Sequence, residues 1–119
     1  MVAETSWVTS VAEQDRIAEF KEVRDLMPED PVVRFGLGGA YLDAGQAENA
    51  AAEYREAIRL KPDYSAAYRG LGRSLERAGQ LDEAKAAYAR GLEVATRNGD
   101  LQTKKEIEVF LRRLEARGH

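Results

Sequence analysis

The feature that most constrains this chain is an internal repeat of 34 residues. When residues 31–64 are laid on residues 65–98, nine of the 34 positions are identical, whereas unrelated segments of ordinary composition match at roughly two or three. Gly-Leu-Gly recurs early in each unit, Ala-Gly-Gln recurs in the middle, and an Ala and a Tyr recur four residues apart. A repeat of this length is typical of stacked units, because each unit must bury its apolar face against a neighbour.

The repeat extends backwards along the chain but not forwards. Residues 26–29 repeat the pattern of Leu-Lys-Pro-Asp found 34 residues later, and Phe20 aligns with Tyr54. Residues 11–28 are therefore predicted to be the second helix of an earlier unit whose first helix is missing or degraded. Residues 99–117 lack the Gly-Leu-Gly pattern and are predicted to form a capping helix.

The residues that begin and end helices agree with a helical array, and no segment is predicted to be a strand. Asp30 before Pro31 is a favourable N-cap followed by a first-turn proline. Gly45 and Gly79 are placed to end helices, and Asn98-Gly99-Asp100 indicates a helix stop, a turn and a new N-cap. The predicted helices span residues 11–26, 31–44, 47–60, 65–78, 81–97 and 100–116. In the last of these, apolar residues follow the i, i+3, i+4, i+7 rule of a core-facing stripe, namely Ile107, Phe110, Leu111 and Leu114.

These residues resemble the tetratricopeptide repeat, a 34-residue helix–turn–helix unit with a Leu-Gly pair, a Tyr, an Ala, a bulky aromatic residue and a terminal Pro. The matching residues are Leu37-Gly38, Tyr41, Gly45, Ala50, Tyr54, Ala57 and Pro62 in the first full unit, and Tyr68, Leu71-Gly72, Gly79, Ala84 and Tyr88 in the second. Two departures matter. Arg34 stands where the family usually has an aromatic residue, and Thr96 replaces the Pro, which predicts that the last repeat helix continues by a turn or more.

The resemblance implies an all-α fold, a short right-handed solenoid of about six antiparallel helices that forms one domain over residues 1–119. Small residues are expected where the two helices of a unit cross, and tyrosines are expected to fill the gaps between units. The crossing residues are Gly38 with Ala50 and Gly72 with Ala84, and the gap-filling residues are Tyr54 and Tyr88.

The side-chain inventory argues against an enzyme. The chain has no cysteine and a single histidine, His119, which is its last residue. Thiol chemistry, nucleophilic triads and most zinc sites therefore lack essential parts. The acidic pairs, such as Asp82-Glu83, are interpreted as solvated or ion-paired helix positions. We expect no catalytic residue, no cofactor, no metal and no small-molecule substrate.

Composition and charge limit the partners and the location. The N-terminus has neither a basic start nor an apolar run of signal-peptide length, and no stretch reaches the roughly 20 apolar residues of a membrane span. We therefore expect a cytoplasmic protein that does not enter the membrane. The net charge of -3 argues against a nucleic-acid partner. The charge is uneven, at -5 over residues 1–30, zero over 31–100 and +2 over 101–119. Solvated helix faces, steering of partners and head-to-tail contact between chains would each account for this distribution.

The resemblance assigns binding to a concave groove lined by the first helix of each unit. The predicted groove residues are Val32, Phe35, Gly39 and Leu42 in the first full unit, and Arg69, Arg73 and Glu76 in the second. Such a groove is apolar at one end and basic at the next, and suits a protein or peptide segment that carries apolar anchors and an acidic residue. The alternative is that Phe35 packs under the first helix and the arginines are only solvated.

A second candidate surface is the N-terminal edge, where Trp7 and Val8 either cover the first helix or dock on another chain. This surface suits a structural or assembly protein and leaves a homodimer open. The initial methionine and the final charged helix favour a free-standing small protein.

Overall fold

A computed structural model describes the backbone of residues 2–117 and the side chains of residues 10–117. These residues form six helices joined by short turns and contain no strand. The helices are α1 (Val2–Leu26), α2 (Pro31–Asp43), α3 (Ala47–Leu60), α4 (Ser65–Arg77), α5 (Leu81–Asn98) and α6 (Leu101–Arg117). The predicted all-α solenoid is confirmed. No helix within the described part is long and apolar enough to span a bilayer.

The prediction for the start of the first helix was wrong, since α1 begins at Val2 rather than at residue 11. The prediction followed the repeat alignment, which ends there. The nine additional helical residues contain neither glycine nor proline, so no backbone signal ends the helix earlier.

The predicted helix ends are confirmed by their local geometry. The Asp30 carboxylate accepts hydrogen bonds from the backbone N–H groups of Val32 and Val33, at 2.8 and 3.2 Å, and so caps α2. Gly45, Gly79 and Gly99 end α2, α4 and α5 with φ angles of 78°, 79° and 73°, a conformation that favours glycine. Helix α5 has 18 residues against 14 in α3, as expected from the missing proline at its end.

The gap between the two full units is filled by Tyr54, a residue that is only 4% exposed. Two glycines face this ring from neighbouring helices. A Cβ atom added at Gly38 would lie 3.0 Å from Tyr54 Cδ1, and one added at Gly70 would lie 2.8 Å from the same atom. The absence of side chains at these positions therefore lets α2, α3 and α4 meet around one ring, and the predicted role of Tyr54 is confirmed.

The same ring-on-glycine contact recurs along the stack. The Phe20 ring of α1 lies against Gly36, and the fully buried Tyr88 ring of α5 lies against Gly72. In each Gly-Leu-Gly segment the first glycine thus receives a ring from the preceding helix, and the second receives a ring from the following helix. This explains why the segment recurs with both of its glycines.

A polar junction holds α1, α2 and α3 together where the family usually has an aromatic residue. The Arg34 guanidinium donates to Glu53 at 3.0 Å and to the backbone carbonyl of Pro28 at 3.2 Å. Arg24 of α1 approaches the other Glu53 carboxylate oxygen at 3.5 Å. Because Glu53 is buried, its charge is compensated by two arginines from two different helices.

The ring-on-glycine contact predicts unequal effects of adding one methyl group. In Gly72→Ala the new Cβ would lie 2.7 Å from Tyr88 Cζ, so this variant should lower the free energy of unfolding by about 1–3 kcal/mol. In Gly39→Ala, also within a helix, the nearest atom is the Tyr54 hydroxyl at 3.7 Å, and the change should be neutral or stabilising by up to about 1 kcal/mol. Urea denaturation of the two variants measures both effects. Equal effects would contradict this account of the packing.

The polar junction predicts a similar contrast between two carboxylates. Glu53→Gln removes the charge between two partly buried arginines and should lower the free energy of unfolding by about 1–3 kcal/mol. Glu83→Gln breaks an exposed ion pair with Arg55 and should change it by less than about 0.5 kcal/mol. Thermal and urea unfolding at neutral pH provide the comparison, and the junction would be unimportant if Glu53→Gln behaved like its control.

Candidate binding groove

The inner surface of the stack is formed by α2, α4 and α6. Helix α4 contacts both α2 and α6, whereas α1, α3 and α5 make no direct backbone contact with one another in the described chain. A stack in which one layer of helices is drawn closer together curves toward that layer. The side of α2, α4 and α6 is therefore the concave one, and all the predicted groove residues lie on its first two helices.

The predicted groove residues of α2 form the apolar end of this surface. Val32 is exposed at the rim, and Gly39 and Leu42 are half-buried. The Phe35 ring stacks on Tyr64 with centroids 5.1 Å apart, and meets Tyr54 edge-on at 5.6 Å. Phe35 is thus fixed by the rings of α3 and of the turn before α4.

The two predicted arginines of α4 have different surroundings. Arg69 donates to Glu106 of α6 at 2.8 Å, so its charge is compensated within the chain. Arg73, one turn further, lies over the ring of Phe110, with its guanidinium carbon 4.6 Å from the ring centroid. Among the described residues no carboxylate lies within ion-pair distance of Arg73.

Glu76, the third predicted residue of α4, is held on both sides. Its carboxylate accepts a hydrogen bond from the Tyr88 hydroxyl of α5 and lies 3.6 Å from Arg117 of α6. Burial raises the pKa of Tyr88, and the hydrogen bond to the Glu76 carboxylate raises it further. Tyr88 therefore stays a neutral donor, and Glu76 joins three helices.

A cleft of about 430 Å³ opens between the inner faces of α4 and α6. It combines three arginines with one carboxylate and an aromatic ring, for a local charge of +2. Its lining residues are Arg73, Glu76, Phe110, Arg113, Ala116 and Arg117. Such a cleft can donate several N–H groups to an anion beside an apolar surface. Within the described residues no group of acidic side chains is arranged to hold a metal ion.

The α6 side of this cleft was not predicted from the sequence. Phe110 was predicted to belong to the core-facing stripe of the capping helix, and no residue of that helix was assigned to the groove. Phe110 is only half-buried, and its ring lies between Tyr88, at 5.8 Å, and the Arg73 guanidinium. The helical spacing of Phe110, Arg113 and Arg117, which puts them on one face, was the signal that could have identified them.

The second predicted surface can be followed only in part. Trp7 and Val8 lie outside the described side chains. Further along α1 and its following turn, several apolar residues are exposed to solvent. These are Val11, Val23, Leu26 and Met27.

Helix α6, which supplies half of the cleft, is held in place by hydrogen bonds at its start. Asp100 accepts from the Ser65 hydroxyl at 2.6 Å and from the Thr103 backbone N–H at 3.2 Å. These hydrogen bonds, the one from Ser65 above all, lower the pKa of Asp100 below its ordinary value. Asn98 adds a bond to the backbone carbonyl of Asp63 at 2.7 Å.

The chain is similar in sequence to proteins with tetratricopeptide repeats. The family model for the tetratricopeptide repeat matches residues 41–106. A repeat-containing protein of this kind from Pseudomonas aeruginosa is 44% identical over 87 residues, which cover 73% of this chain and 83% of that protein.

Solved structures show the same fold. A Bordetella parapertussis protein determined in solution has a TM-score of 0.75 and 33% identity, over 85% of this chain and 88% of its own. The Yersinia enterocolitica type III secretion chaperone SycD, solved in complex with a peptide of the translocator YopD, has a TM-score of 0.81 at 17% identity. That match covers 97% of this chain and 88% of SycD.

The Ser65–Asp100 hydrogen bond predicts a pH-dependent effect on stability. Because the pKa of Asp100 is lower in the folded state, its contribution is present at neutral pH and is lost as pH falls through the folded pKa. Ser65→Ala should therefore lower the free energy of unfolding by about 1–2 kcal/mol at neutral pH. This difference from the parent protein should shrink below about pH 4.

The matched control is Ser74→Ala in the same helix. The Ser74 hydroxyl donates to the neutral backbone carbonyl of Gly70 at 2.8 Å, so its effect should not vary with pH. Urea titrations of the parent and both variants at pH 7 and pH 3 separate the two cases. A Ser65→Ala effect that stayed constant between these pH values would contradict the charged hydrogen bond.

Proposed function

This chain belongs to the tetratricopeptide repeat family, and we propose that it is a non-catalytic interaction module that binds a peptide segment of a partner protein along its concave groove. The observation that carries the proposal is the cleft between α4 and α6, in which Arg73 is ordered by an aromatic ring rather than by a carboxylate. An arginine held in this way keeps its N–H donors available to a ligand.

The groove has the mixed character expected of a peptide site. Its α2 end presents Leu42 and the exposed Val32, and its α6 end presents the arginines of the cleft. Apolar surface with a few directed polar groups is the usual composition of a binding site. The SycD complex supports the proposal at the level of the fold, because it shows that a stack of this shape accommodates a peptide.

Self-association through the N-terminal edge is the second candidate function. The exposed apolar side chains of α1, including Leu26 at 83% exposure, favour it. Arg16 argues against a second copy simply extending the stack of helices beyond α1. It occupies the repeat position of Ala50 and Ala84, which are both 0% exposed, and it is paired with Asp43 at 2.6 Å.

Charge reversal on the two layers of the stack tests the proposed function. Arg73→Glu should reduce capture of the native partner from cell extract by about tenfold or more, since a charge-assisted hydrogen bond is replaced by repulsion. Arg55→Glu, on the outer helix α3, makes the same charge change at an exposed position and should leave capture unchanged. Circular dichroism and thermal unfolding verify that both variants fold.

Two other results would contradict binding in the groove. If both variants captured the same proteins as the parent in the same amounts, the concave surface would not be the binding site. If sedimentation showed self-association that Leu26→Glu alone abolished, the N-terminal edge would be the surface through which the chain self-associates.

A further inference from the structure

We infer that the groove recognises two features of an extended partner segment, namely an acidic side chain bound in the α4–α6 cleft and an apolar side chain about four or five residues away, bound over Gly39. The inference rests on the proposed function and specifies its ligand. It is carried by the charge of the cleft, by the fixed position of one arginine and by the open space over a glycine of α2.

The cleft attracts an acidic group although the whole chain is acidic. It carries a charge of +2 in a protein whose net charge is -3. Arg113, like Arg73, has no carboxylate within ion-pair distance among the described residues. Only Arg117 has such a partner, at 3.6 Å from Glu76, with more than half of its side chain exposed. Two guanidinium groups are thus available to one carboxylate.

The position of Arg73 is set before a ligand arrives. Its guanidinium lies on the Phe110 ring, and that ring rests against Tyr88. Cation–π contact of this kind holds the guanidinium in place but leaves its N–H groups at the edge unoccupied. Because less side-chain freedom is lost on binding, a carboxylate is bound more tightly here than by a fully mobile arginine.

The apolar feature is placed by Gly39. A Cβ atom at this position would have only the Tyr54 hydroxyl within 4 Å, at 3.7 Å. By contrast, the space beside the glycines that contact Phe20, Tyr54 and Tyr88 is filled by those rings. The opening over Gly39 is flanked on α2 by the half-buried Phe35 and Leu42, so it suits an aliphatic or aromatic side chain of the partner.

The two features lie at the same level of the stack. Gly39 and Arg73 occupy the same position in successive repeats, and Arg77 links the ends of α4 and α2 by donating to the Leu42 carbonyl at 3.2 Å. From α2 to the middle of the cleft between α4 and α6 there are about one and a half interhelical steps of about 8–10 Å each. An extended chain that advances about 3.3 Å per residue crosses this distance in about four or five residues.

The experiment is a selection from a displayed library of random peptides. Segments of roughly 12 residues are long enough to cross the groove, and polar linkers on both sides remove free termini, so that only side-chain carboxylates are tested. Parent protein, Arg113→Glu, Arg112→Glu and Gly39→Leu each serve as the immobilised target. Arg112 is the matched control, because it adjoins Arg113 in sequence and is likewise exposed but does not line the cleft.

The parent and Arg112→Glu should enrich the same peptides, with Asp or Glu about four or five positions from a large apolar residue. Arg113→Glu should lose the acidic preference, and Gly39→Leu should lose only the apolar one, because leucine fills the opening. For a selected peptide made with blocked ends, Arg113→Glu should weaken binding by about tenfold or more in calorimetric titration.

The possible outcomes distinguish a failure of the inference from a failure of the proposed function. If the folded parent enriches no peptide, both the peptide-binding function and the inference are overturned. If it enriches peptides without an acidic position, or if Arg113→Glu enriches the same ones, the inference is wrong and the groove function stands. If the parent self-associates in sedimentation and Arg113→Glu does not, the cleft is occupied by the acidic end of a second copy, and the inference is again wrong.

Discussion

The seating of aromatic rings on glycines is the contact on which the rest of this structure depends. A glycine inside a helix lowers helix stability by about 1 kcal/mol relative to alanine, and burial of a tyrosine ring offsets that loss. The glycines that receive Tyr54 and Tyr88 all lie on α2 and α4. These inner helices are therefore drawn close together while the outer helices stay apart. Both the curvature of the stack and its groove follow from this asymmetry.

The cleft forms because the packing of rings on glycines stops at α6. Helix α6 has no Gly-Leu-Gly segment and cannot seat a ring in the same way. Tyr88 meets the Phe110 ring instead, at 5.8 Å and an interplanar angle of 37°. A second ring takes more room than a glycine, so Phe110 stays half-exposed on the inner surface, where Arg73 lies over it. The last ring of the core is thus also the first apolar surface of the cleft.

How much the sequence predicts depends on whether the signal is local. Helices α2 to α6 begin and end within one residue of their predicted limits, because caps, glycines and prolines act through the adjacent backbone. The start of α1 was set by alignment alone and was wrong. The Arg34–Glu53 pair joins two residues that are 19 apart in sequence and lie on different helices, and the exposure of Phe110 depends on how α6 crosses α4. Neither of these is encoded in the periodicity of a single helix.

The contrast between Arg69 and Arg73 shows which part of the fold determines the charge of the groove. The two residues lie one turn apart on the same face of α4 and are chemically identical. Helix α6 places Glu106 opposite the first and Phe110 opposite the second, so one arginine is neutralised within the chain and the other lies on a ring. The repeats themselves build the curved surface, but the capping helix determines which of the arginines on α4 is paired with a carboxylate. A change in α6 would therefore alter the charge of the cleft without disturbing the ring-on-glycine contacts that maintain the fold.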